Sequence, residues 1–94
     1  MQDDDFEWDD EKDAQNLATH GMSFEAARLA FSDAFAVVRE DRRRNYGEDR
    51  FILLGMVQER LLAISYTMRD ERVRIISARF AEPQERRRYH EENS

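Results

Sequence analysis

The stretch from Arg50 to Phe80 reads RFILLGMVQERLLAISYTMRDERVRIISARF, and its spacing decides the fold. Three apolar runs, Arg50 to Val57, Arg60 to Met68 and Arg72 to Phe80, are separated only by Gln58-Glu59 and by Arg69-Asp70-Glu71. A parallel crossover needs a dozen or more residues, so connections this short permit antiparallel pairing only. In the middle run Leu61 and Ala63 point to one side while Leu62, Ile64 and Tyr66 point to the other. Both faces are therefore apolar, which places this strand in the sheet interior.

Working outward, residues 36 to 40 (AVVRE) predict a fourth strand, followed by a polar loop from Asp41 to Asp49. Downstream, Pro83 to Glu92 predicts a helix with proline at its first position, where the missing N–H costs nothing. Upstream, Phe6 to Trp8 suits a short strand. Asp9 then caps a helix that carries Asp10 and Glu11 in its first turn and stops at Gly21. On that helix Ala14, Leu17 and Ala18 share one arc, expected to pack, while Lys12, Asn16 and His20 share another, expected to face solvent or a ligand. Ser23 caps a second helix in which Phe24, Ala27 and Phe31 recur at helical spacing, with an incomplete capping box. The fold class expected is α+β, a single domain over residues 1–94. It has an antiparallel four-stranded sheet, a short N-terminal strand in addition, two N-terminal helices and one C-terminal helix.

A chain of 94 residues has room for one modest core, and 40% hydrophobic content suffices for it. The net charge of −6 argues at first against a polyanion ligand, because phosphate contacts come from Lys and Arg. That charge is unevenly spread. Residues 1 to 13 hold eight acids against Lys12, a net of −7, which leaves +1 for residues 14 to 94. Residues 1–5 are expected to form a solvated, disordered acidic arm. Residues 69 to 88 carry seven arginines against four acids, and Lys12 is the only lysine in the chain. This bias toward arginine suits phosphate, whose oxygens match the planar fork. Cysteine is absent, which excludes disulfides, thiolate nucleophiles and Cys-ligated zinc. The two histidines, His20 and His90, are far apart in sequence, and no metal or cofactor is expected. An acidic N-terminus and the lack of any apolar run near about 20 residues point to a cytoplasmic protein without a membrane span.

In the strand from Arg72 to Phe80, strict alternation groups Arg72 and Arg74 with Ile76, Ala78 and Phe80, and sets Arg79 on the opposite face with Val73, Ile75 and Ser77. A half-buried guanidinium needs partners. Ion pairs with nearby carboxylates and a phosphate-binding groove are both open readings. His20 is either a helix-end residue satisfied by carbonyls or a proton-transfer group, since a histidine ordinarily titrates near about pH 6.5.

Phe6-Glu7-Trp8-Asp9, with Lys12, Asn16 and His20-Gly21 downstream and then Ser23-Phe24-Glu25, resembles the opening of BrnT-type toxins. Gly47-Glu48-Asp49-Arg50-Phe51, the strand from Leu61 to Thr67, Arg74-Ile75-Ile76-Ser77-Ala78-Arg79 and Glu85-Arg86-Arg87-Arg88-Tyr89 extend the resemblance over nearly the whole chain. It departs from the family where Ser32-Asp33-Ala34-Phe35 lacks a proline and where Asp10 stands for a first-turn proline. The resemblance implies a RelE-like fold and a bacterial type II toxin, a metal-independent endoribonuclease that inhibits translation and growth and is neutralised by a BrnA-like antitoxin. Operator DNA would be met only through the antitoxin complex, and a homodimer and a monomer both stay open. Cleavage by attack of the 2′-hydroxyl on the adjacent phosphate needs a base, an acid and positive charge at the phosphorane. The resemblance assigns that charge to Arg79 and Arg74 and proton transfer to His20 or Glu48. Lys12, Arg72, Arg86 and Tyr89 would bind RNA. Arg74 and Arg79 can serve one site only if a bulge intervenes or the site lies at the strand end. The competing class is a catalytically inactive toxin-like subunit acting only with its antitoxin in promoter autoregulation, and a third is a stand-alone acidic adaptor.

Overall fold

A computed structural model describes all of residues 1–94. Its elements are β1 (Phe6–Glu7), α1 (Asp10–His20), α2 (Phe24–Ala27), β2 (Val37–Asp41), β3 (Arg50–Val57), β4 (Arg60–Arg69), β5 (Arg72–Phe80) and α3 (Pro83–Glu92), with a 3₁₀ turn over Arg28–Ser32. The four long strands pair antiparallel in the order β5-β4-β3-β2, as their short connections require. Both hairpin turns are two residues long, Gln58-Glu59 and Asp70-Glu71. All four residues take positive φ, the geometry of tight hairpins whose twist matches the strands.

The four-stranded antiparallel expectation is corrected by β1, which pairs parallel with β5 through Phe6↔Val73 and Glu7↔Arg74 and makes the sheet five-stranded and mixed. Residues 1–5, expected as a solvated arm, make contacts with the rest of the chain. The N-terminal ammonium donates to Trp8 O at 3.1 Å and Asp10 Oδ1 at 3.2 Å, Trp8 N donates to Met1 O, and Val73 N donates to Asp5 O. Asp3 accepts from the amides of Asp5 and Phe6 and from Arg28 Nη1 at 2.7 Å. Of the arm's three aspartates, Asp3 is the one whose carboxylate is given donors.

One sheet face is covered by α2 and the 3₁₀ turn. Phe24, Ala27 and Ala30 pack with Trp8 and Met22 onto Leu53, Leu62, Ile64, Tyr66, Ile75 and Ala78. Gly55 permits this approach: a Cβ there would lie 2.5 Å from Ala30 O. On the other face α3 buries Ala81 and Tyr89 against Ile52, Leu54, Leu61 and Ala63. Two-sided burial of β4 is what its apolar alternation predicts.

Helix α1 is capped as expected, with Asp9 accepting from the amides of Glu11 and Lys12 and Gly21 at φ 69 ending it. Its apolar arc is not the packed one, while Lys12 and His20 are exposed as expected. Leu17 is 52% exposed, whereas Asn16 is buried at 6%. The reason is that α1 lies along the edge of β5 rather than on a sheet face. Asn16 Nδ2 donates to Ala78 O and Met22 O, both at 2.9 Å, and Ala78 N donates to Asn16 Oδ1 at 3.1 Å. A side-chain amide carries donor and acceptor together, so it satisfies both backbone groups of an edge residue that β1 is too short to reach.

Candidate functional site

The register of β4 with β5 contains an irregularity: Ser65 opposes Ser77 and Tyr66 opposes Ile75, leaving Ile76 as an extra residue. Such a bulge shifts every side chain beyond it to the other face relative to strict alternation. Arg74 lies opposite Thr67 and Arg79 opposite Ala63. Thr67 and Ala63 are four residues apart on a regular strand, so the two arginines share a face, about 13 Å apart along the strand. The opposite-face grouping read from alternation is thereby overturned. Ser77 and Arg72 share the face with them, while Ile75 and Ala78 are both in the core.

Helix α3 covers only part of this face. Around and beyond it lie Arg39 from β2, Ser65, Arg74, Ser77 and Arg79. Arg39, Arg43, Arg79 and Arg88, with Glu82, Gln84 and Glu85, line an open groove of about 460 Å³. Arg79 is 30% exposed at its side chain, and it donates from Nη1 to Glu85 Oε1 at 2.7 Å and from Nη2 to Glu85 Oε2 at 3.2 Å. Arg39 Nη2 stands 3.9 Å from Glu85 Oε2. Burial alone would raise the Glu85 carboxyl, but the Arg79 bonds, the Glu82 amide and the charges of Arg79 and Arg39 outweigh it and hold it below the ordinary value.

Beside this groove, Lys12, Gln15, Asn16, Thr19 and His20 of α1 line a second polar hollow of about 270 Å³ with Ile76 and Ser77. Ser77 and Arg79 are two residues apart on one face, about 7 Å, so the two hollows adjoin along β5. Of the residues expected to do chemistry, the fold thus brings Arg79, His20 and Lys12 to one end of β5.

The others are distributed differently. Glu48 pairs with Arg50 at 3.1 Å and Arg69 at 3.7 Å. Arg69 opposes Arg72, and about 20 Å of strand separates that level from Arg79, so Glu48 does not share the Arg79 groove. Arg74 donates to Glu7 Oε2 at 2.7 Å, across the parallel β1–β5 pair. Arg72 Nε donates to Asp3 O at 2.7 Å and is occupied by the folded arm. Arg86 Nη1 donates to Ala81 O at 2.9 Å, tying down the start of α3. Tyr89, expected to bind RNA, is placed under α3, buried at 6% in the core, and its hydroxyl donates to Asp33 Oδ2 at 2.5 Å. Asp33 also accepts from the amides of Met56 and Phe35. Of the groove residues only Arg79 is expected from the sequence; Arg39, Arg43, Glu82, Gln84, Glu85 and Arg88 are not. Period-2 alternation in VVRED marks Arg39, and Glu82 followed three residues later by Glu85 is a capping-box spacing at a helix start.

Burial and then the Asp33 hydrogen bond push the Tyr89 phenol up to about 12. A raised folded-state value means that stabilisation is complete below the ordinary 10.0 and is lost as pH rises toward about 12. Urea midpoints measured from about pH 9 to about pH 12 should therefore fall more steeply for the wild-type chain than for Tyr89→Phe. Parallel curves would show that the phenol is not linked to folding.

In comparison with known families, the family described as ribonuclease toxin, BrnT, of type II toxin-antitoxin system matches residues 8–85. No curated protein matches the chain. No helix is long and apolar enough to cross a membrane. With the matched span running from the Trp8 core through the bulged arginine strand to Glu85, the chain belongs to the BrnT family of type II ribonuclease toxins.

Proposed function

We propose that this protein is a cytoplasmic, metal-independent endoribonuclease of RelE-like architecture that arrests growth by cutting RNA and blocking translation. The observation that carries the reading is the bulge at Ile76, which gathers Arg74 and Arg79 on one partly uncovered sheet face beside a groove of arginines. A guanidinium presents several N–H donors in a fixed plane, which fits the equatorial oxygens of a phosphorane. In this reading the 2′-hydroxyl attacks the adjacent phosphorus, the 5′-oxygen leaves, and Arg79 stabilises the charge on the phosphorane. His20, in the adjoining hollow with Lys12, transfers a proton, and Arg74 holds the RNA backbone further along β5. Glu48, at the other end of the sheet, is left to order Arg50 and Arg69.

Neutralisation is assigned to a BrnA-like antitoxin, with operator DNA met through that complex. An apolar hollow lined by Leu17, Met22, Ala26, Val57, Leu62 and Phe80, with Arg60 stacked 4.3 Å from the Phe80 ring centroid, supports an apolar protein partner that also carries an acid. The competing reading, an inactive binding subunit, is favoured by one fact: Arg79 and Arg74 are already engaged by Glu85 and Glu7.

The test is incubation of the purified protein with single-stranded RNA in excess EDTA. Fragments ending in 2′,3′-cyclic phosphate and 5′-hydroxyl are expected. Intact RNA, or cleavage that EDTA abolishes, would overturn the proposal.

A further inference from the structure

Glu85 is a buried carboxylate at the centre of the groove, its side chain 7% exposed. Three groups converge on it from three elements. Arg79 of β5 approaches with two nitrogens, Arg39 of β2 stands at 3.9 Å, and the Glu82 amide at the start of α3 donates to Oε1 at 2.9 Å. The amide bond fixes the carboxylate to the helix end, where the backbone dipole favours a negative group. Arg39 and Arg79 lie on strands that are not neighbours, since β4 and β3 run between them. Without a shared anion two guanidinia would repel and splay into solvent. With it, the four arginines of the groove against Glu82 and Glu85 leave a net charge of +2, the sign a phosphodiester requires.

We infer that Glu85 is a positioning residue for RNA cleavage, holding Arg79 and Arg39 together as one clamp on the reacting phosphate. This rests on the ribonuclease reading above and extends it to Arg39 and Glu85. A direct role in proton transfer does not fit the carboxyl, which is held ionised by the cations around it and gives both oxygens to donors. Its action is geometric: the bidentate bond fixes one edge of the Arg79 fork, Nη1 also donates to Phe80 O at 3.3 Å, and the Nε and second Nη2 N–H groups are left for a ligand.

Charge alone and geometry predict opposite results for Glu85→Gln. Removing a negative charge from an arginine groove should tighten RNA binding, whereas loosening Arg79 and Arg39 should slow the chemical step. The experiment measures single-turnover cleavage of an RNA oligonucleotide and, separately, binding of its 2′-deoxy analogue, for wild type, Glu85→Gln, Arg39→Gln and the Arg79→Ala/Glu85→Gln pair, with Tm as a check on folding. Expected are at least about tenfold slower cleavage by Glu85→Gln with unchanged or tighter binding, a comparable loss in Arg39→Gln, and a smaller loss when Glu85→Gln is added to Arg79→Ala, where only Arg39 remains to be positioned. If Glu85→Gln fails to fold, Arg39→Gln, whose side chain is 31% exposed, decides the question by the same rate and binding readouts. Cleavage at the wild-type rate, or an equal loss in the Arg79→Ala background, would overturn the inference. A wild-type protein inert on RNA would instead remove the ribonuclease reading and this inference with it.

Discussion

Arg79→Ala should slow RNA cleavage about 100- to 1,000-fold, the usual cost of losing a donor aimed at charge that develops in the transition state. Arg79 alone among the β5 arginines combines a half-open side chain, a bidentate anchor and a place where the arginine groove meets the His20 hollow. Alanine also strands Glu85 in a buried position with its main partner gone, and breaking such a pair is itself destabilising. Arg79→Lys separates the two effects. It keeps a cation beside Glu85, so the chain should fold normally, yet an ammonium cannot hold Glu85 bidentately and reach a phosphate at once. Initial rates on a fluorogenic RNA, with far-UV circular dichroism to verify folding, should show both variants strongly impaired and Arg79→Lys fully folded. An Arg79→Lys protein as fast as wild type would remove Arg79 from the chemistry.

The largest stability effect should come from Asn16. In Asn16→Leu the branched outline of the side chain is kept, but Ala78 N, Ala78 O and Met22 O all lose a partner. Ala78 is fully buried, so its backbone groups have no water to turn to. At about 1–3 kcal/mol for a buried group left unmade, a loss near about 3 kcal/mol is expected. For a chain of this size that is a Tm lower by on the order of 10–20 °C. Leu17→Ser on the adjacent position, 52% exposed, should shift stability by no more than about 0.5 kcal/mol. Thermal scans of the two variants decide the orientation of α1, because the hydrophobic pattern by itself ranks them in the reverse order. Equal Tm losses would show that the amide does not hold the β5 edge.

Two features of the arginine strand show where local reading stops. The grouping of Arg74 and Arg79 on opposite faces follows correctly from a period of two, but that period holds only for an unbroken ladder. One unpaired residue, Ile76, reverses it, and nothing in RVRIISARF marks where the partner strand skips a residue. Likewise Tyr89, in a run of arginines near the C-terminus, reads as a ligand contact until Asp33 is placed beneath it, 56 residues away in the chain. Arg72 reads as free until the acidic arm folds back to meet it.

What the sequence alone determined about this protein are features set within a few residues of one another. Short connections forced β3, β4 and β5 to pair antiparallel, Asp9 and Gly21 bounded α1, Ser23 opened α2, and Pro83 opened α3. These depend on loop closure, backbone φ and nearby amides, all of which a linear reading contains. The tertiary structure decided which face of α1 is inside, which arginines share a face, and which carboxylate each meets. Those outcomes turn on backbone groups and charges brought together from distant positions, as with Asn16 and Ala78, 62 residues apart. A buried donor or acceptor must be satisfied wherever its partner comes from, and that requirement outweighs a weak apolar stripe of Ala14, Leu17 and Ala18.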